Sequence, residues 1–105
     1  MALKDRRLIL SSIFRELLGS NNVYFQPPES KKMSYPCIRY ERAKLPVTYA
    51  DNDKYLIRST YTVILITTDP DSELPVEILK KFDYISHTQH YVKDNIIHDV
   101  YTLTF

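Results

Sequence analysis

Apolar positions along residues 3–18 fall on one helical stripe: Leu3, Leu10, Ile13, Phe14, Leu17 and Leu18. That spacing predicts an amphipathic first helix. Gly19 stands where a left-handed residue would close it, and Ser20-Asn21-Asn22 completes the stop. Val23-Tyr24-Phe25-Gln26 then reads as a short strand cut off by Pro27-Pro28, which suits the end of an edge strand. Residues 27–36 follow as a polar loop closed by Pro36.

The period changes to two in the next section. Ile38-Arg39-Tyr40-Glu41-Arg42 alternates apolar and charged side chains. Residues 54–68 alternate as well, with Tyr55, Ile57, Tyr61, Val63 and Leu65 on one face and Leu56, Arg58, Thr60, Thr62, Ile64 and Ile66 on the other. Both faces carry β-branched or aromatic side chains, which predicts a central strand. Ala50-Asp51-Asn52-Asp53 supplies turn chemistry between the two arms, 37–47 and 54–68. At about 3.3 Å per residue, residues 55–68 as one strand would span roughly 45 Å. A compact domain of this length has a diameter of roughly 33 Å. The strand therefore has to bend, break or project, and a projecting arm with Tyr49 and Tyr55 near its tip suits a subunit contact.

Asp69-Pro70-Asp71-Ser72 ends that strand. A second helix follows, with Pro75 in its first turn, a buried stripe of Leu74, Ile78, Leu79 and Phe82, and Lys80 and Lys81 at its C-terminus. Two strands, about 85–92 and 97–105, close the chain around Lys93-Asp94-Asn95, with Tyr101, Leu103 and Phe105 on one face of the second. The expected fold is a single α+β domain over residues 1–105. It has an antiparallel-rich sheet of four to five strands, two helices packed on one face, and a long projecting β-hairpin.

Composition changes this picture little. The 105 residues are 44% hydrophobic and 26% charged, ordinary for one folded domain. A net charge of +1 does not predict a nucleic-acid binder. Lys4, Arg6, Arg7 and Arg15, mixed with Asp5 and Glu16, read as a solvated helix face, with a phosphate or acidic partner as the alternative. Cys37 is the only cysteine, which rules out an intrachain disulfide and suggests a small buried residue. With no signal-peptide pattern and no apolar run longer than Val63 to Ile66, a reducing aqueous setting away from membranes is expected. A single glycine leaves no way to write a dinucleotide fingerprint or a P-loop.

Candidate chemistry is sparse. His87 and His90 lie three apart in a predicted strand, hence on opposite faces if that strand is regular. His98, beside Asp99, could join one of them across the last hairpin as a one-metal or acid–base site, against a reading as surface polar residues. Asp51, Asn52 and Asp53 start like a calcium loop, but Leu56 and Thr62 stand where glycine and glutamate are needed. Asp69, Asp71 and Glu73 read as a turn and a helix N-terminus. No catalytic residue, metal ligand or cofactor is expected. The nine tyrosines suit strands and interfaces alike.

The order of segments resembles the tail terminator (tail completion, or minor capsid) proteins of long-tailed bacteriophages. The resembling stretches are Asn22-Val23-Tyr24-Phe25-Gln26-Pro27-Pro28 and Met33-Ser34-Tyr35-Pro36-Cys37-Ile38-Arg39-Tyr40. They continue through Tyr49-Ala50-Asp51-Asn52, Tyr55, Tyr61-Thr62-Val63-Ile64 and Asp69-Pro70-Asp71-Ser72. The likeness covers most of the chain, and the order of these motifs carries more than any one of them. It implies a non-enzymatic virion protein, a homohexameric ring that caps the tail tube and forms the tail side of the head–tail junction. Its implied partners are further copies of itself, the major tail tube protein and the neck or head-completion protein, with no membrane and no specific nucleic-acid binding. The near-neutral charge gives no extended basic lumen for DNA passing through the ring. Projection, rather than any family motif, nominates Lys31, Lys32, Met33, Tyr49, Asp51, Asn52, Asp53 and Tyr55 as contact residues. A head-completion or stopper protein of the neck, a small His/Asp hydrolase and a regulatory binding domain stay open as alternatives.

Overall fold

A computed structural model describes residues 3–27, 32, 34–44 and 59–105. Helix α1 (Leu3–Leu18) occupies the span the apolar stripe predicts. Gly19 closes it at φ +70°, its amide donating to the Arg15 carbonyl at 2.9 Å. That conformation is one a side chain would strain. Strands β1 (Val23–Phe25), β2 (Cys37–Lys44) and β3 (Thr60–Thr67) follow. Helix α2 (Leu74–Lys81) and strands β4 (Ile85–Lys93) and β5 (Ile96–Thr104) complete the chain.

The five strands form one mixed, mostly antiparallel sheet in the order β1-β2-β3-β5-β4. The order explains the two faces of β3, which lies in the middle, and the brevity of β1, which is an edge. β1 runs parallel to β2, the one parallel neighbour pair among the described residues. β3 and β4 both run antiparallel to β5, so they are parallel to each other and α2 is the crossover that parallel strands need. Sequence neighbours are thus not always sheet neighbours, since β5 inserts between β3 and β4. The hairpin turn is shorter than Lys93-Asp94-Asn95: Lys93 pairs with Ile96, leaving Asp94 and Asn95 at φ 53° and 63°. Two central residues with positive φ make a type I′ turn, matching the twist of the strands it joins. The predicted arms 37–47 and 54–68 are described only as β2 and β3, and the tip between them lies outside the described residues.

Cross-strand register sets the core. Ile38 pairs with Leu65 and Tyr40 with Val63, while Val63 and Tyr61 pair across the other side with Tyr101 and Leu103. These residues share one face and form a single buried cluster with Leu10 and Phe14 of α1 and Ile78 of α2. Tyr40 is its hub: its ring lies 5.2 Å from Phe14, 5.0 Å from Phe25 and 5.7 Å from Tyr61. Each such pair contributes about 0.5–1.5 kcal/mol beyond area burial. The Tyr40 hydroxyl bonds Ser11 Oγ and donates to the Arg7 carbonyl at 3.3 Å, tying α1 to β2.

Lys4 is solvated as expected of the α1 cations, but Arg6 and Arg7 depart from that face. Arg6 stacks over Phe105 at 4.2 Å and Arg7 over Phe25 at 4.5 Å, so both half-bury their stems on the sheet. Leu8 and Ile9, not the arginines, face outward. Cys37 is fully buried as expected, which pushes its thiol up to about 11. Around Pro70, the Asp69 carboxylate accepts the Asp71 amide at 2.9 Å, so the acidic cluster is turn chemistry.

Candidate functional site

The arrangement with most chemical content sits on the last hairpin. In β5, Asp99 is in phase with Tyr101 and Leu103, so its carboxylate points to the apolar face and is 3% exposed. A carboxylate removed from water in this way needs donors. They come from β4. Nε2 of His87 lies 3.0 Å from Asp99 Oδ1, and Nδ1 of His90 lies 2.6 Å from the same oxygen.

A β-bulge makes this convergence possible. His87 pairs with Tyr101 and His90 with Asp99, but Gln89 already pairs with Val100, so Thr88 is an extra residue in the ladder. The insertion resets the alternation, and two histidines three apart arrive on one face. The expectation of opposite faces holds only for a regular strand, and this strand is not regular. Thr88 is held by its hydroxyl, which donates to the Val100 carbonyl at 3.1 Å.

The neighbours fix the floor of the site. The Tyr101 ring meets His87 edge to face at 5.1 Å, and its hydroxyl donates to the Pro75 carbonyl at 3.0 Å, linking β5 to the start of α2. Burial, with the nearby Asp99 charge as the smaller cause, raises the Tyr101 phenol well above its usual range. His98 takes no part. It pairs across from Tyr91, stacks on that ring at 4.6 Å, and its Nδ1 lies 3.1 Å from the Ile96 carbonyl. Of the three histidines weighed from the sequence, the structure brings His87 and His90 to Asp99 and leaves His98 on the other face. The signal that could have found the trio was the phase of Asp99 with Tyr101 and Leu103.

Two other places are less developed. A cleft of about 180 Å³ lined by Arg6, Phe82, Asp83, Tyr84 and Phe105 lies where α1, α2 and β5 meet. Arg6 Nε is buried beside it without a hydrogen-bond partner among the described residues. The sheet edge at β4 is the other: among the described residues β4 pairs only with β5, and most of its side chains are exposed. Of the contact residues nominated from the sequence, Lys32 is described and exposed; Lys31, Met33, Tyr49, Asp51, Asn52, Asp53 and Tyr55 lie outside the described residues.

Among the described residues, no helix is long and apolar enough to cross a membrane. No protein-family model, curated protein or solved structure matches the chain.

Proposed function

We propose that the chain is the subunit of a tail terminator, a homohexameric ring capping a phage tail tube on the tail side of the head–tail junction. The observation that carries this reading is the open edge at β4, nine residues long, with Tyr84 and Val92 near its ends each 59% exposed. An edge strand presents unpaired backbone groups to which another copy can add. The opposite edge, β1, has three residues and pairs in parallel. Two unlike edges favour head-to-tail contacts between copies, the kind that closes into rings.

On this reading both helices pack on the same face of the sheet, leaving its edges free for neighbours. Tyr49, Asp51, Asn52, Asp53 and Tyr55, with Lys31, Lys32 and Met33, are the residues proposed to meet the tube, the neck protein or the next subunit. This role in the virion is one of shape and contact and calls for no catalysis. Its partners are the tail tube protein on one side and the head-completion protein on the other.

Val92→Lys tests the edge. At this exposure the substitution changes folding stability by no more than about 0.5 kcal/mol. The unaltered chain is expected to add a six-copy ring to one end of purified tail tubes in cryo-electron microscopy, and Val92→Lys to leave the ends bare. A chain that stays monomeric by light scattering and adds no density to tubes would overturn the reading. Density at the head vertex instead would assign the stopper role.

A further inference from the structure

We propose that His87 Nε2, His90 Nδ1 and Asp99 Oδ1 form a binding site for one divalent transition-metal ion of the zinc class. The three atoms lie within 4.8 Å of one another. A tetrahedral ion with bonds of about 2.0–2.1 Å holds its donor atoms roughly 3.3 Å apart. The two nitrogen–oxygen separations, 3.0 and 2.6 Å, are already close to that spacing. The two nitrogens lie at most 4.8 Å apart, and rotations of the imidazoles are what would bring all three donors to that spacing.

The side chains are free to make them. Those of His87 and His90 are 35% and 57% exposed, so their rings can turn and an ion can enter from solvent. Asp99 is the fixed point, buried and held on a central part of the sheet by β3 and β4 on either side. Tyr101 against His87 limits that ring from below and is itself anchored to Pro75. Such outer contacts orient ligands and sharpen affinity.

The donor set selects the metal class. Two imidazoles and one carboxylate suit zinc, cobalt, nickel or copper, whereas calcium and magnesium prefer oxygen alone. The dication also places positive charge beside the buried Asp99 carboxylate. In the bound state the coordinating nitrogens carry no proton, which leaves the ring proton on His87 Nδ1 and His90 Nε2. Three protein ligands leave a fourth position open to solvent, the arrangement of a reactive rather than a closed zinc site. The bulge at Thr88 is what gathers the donors; an uninterrupted strand would send His87 and His90 to opposite faces. The site stands on its own geometry, whether or not copies of the chain close into a ring.

The test is a titration of Zn²⁺ into the untagged chain after removal of metals by a chelator, followed by calorimetry. Saturation at one ion per chain is expected. His87→Ala and His90→Ala should each weaken binding by at least about tenfold, and His98→Ala should leave it unchanged. A second measurement needs no variant: long-range ¹H–¹⁵N spectra of the unaltered chain should show His87 Nε2 and His90 Nδ1 shifting together with added Zn²⁺. Absence of saturable binding, equal loss in His98→Ala, or imidazole shifts confined to His98 would each overturn the proposal.

Discussion

Two tyrosines in the same core make opposite demands on their hydroxyls. The Tyr40 hydroxyl bonds Ser11 and the Arg7 carbonyl, while the Tyr61 hydroxyl is buried with no hydrogen-bond partner among the described residues. Tyr40→Phe strands those partners and should lower stability by about 1 kcal/mol. Tyr61→Phe removes a group that gains nothing by being buried and should be neutral or stabilising in the same urea titration. Alkaline pH gives a second residue-scale outcome. Burial raises the Cys37 thiol from 9.0 to about 11 and also raises the Tyr40 and Tyr101 phenols. The folded chain therefore holds these protons more tightly than the unfolded chain. That stability is fully present below the ordinary thiol value and is lost as pH rises through the folded one. The melting temperature should decline between pH 9 and about 11, and less steeply in Cys37→Ala.

Elements differ in how plainly the chain announces them. Helix α1 could be read to its last residue because Leu10, Phe14 and Leu17 share a stripe and Gly19 stands at its end. Helix α2 was legible from Pro75, Ile78 and the closing lysines, but Leu79, expected in its buried stripe, is exposed. Strand β4 was readable as a strand but not in its faces. A bulge is a property of two paired strands, and Thr88 carries no local mark of it. The same limit hid the placement of β5 between β3 and β4, because alternation says which way a side chain points and nothing about which strand lies beside it. The turn at Asp94 and Asn95 was visible as turn chemistry, with its type fixed only by the Lys93–Ile96 pairing. Since Asn95 sits at φ 63°, Asn95→Gly should keep or raise stability, and Asn95→Val should lower it by about 1–2 kcal/mol in thermal or urea melts.

At the scale of the molecule, apolar surface is spread over both helices and the β4 edge. Leu8 and Ile9 on α1, Val76 and Leu79 on α2, and Tyr84 and Val92 beside the edge are all exposed. A subunit that is covered by neighbours has a use for each of these positions. His87 and His90 lie on the strand that forms that edge and Asp99 on β5 beside it, so any copy adding there would pass close to the trio. The strand order also has a consequence in time. The β4–β5 hairpin is joined by a two-residue turn, so its contacts close over a very short length of chain. Partners such as Thr60 and Thr104, by contrast, must find each other across α2 and the whole of β4. Local closure carries the smaller entropy barrier, and hairpins form in about 1–10 μs. The last segments in the sequence are thus placed to organise first, presenting β5 as the template on which the central strand β3 later docks.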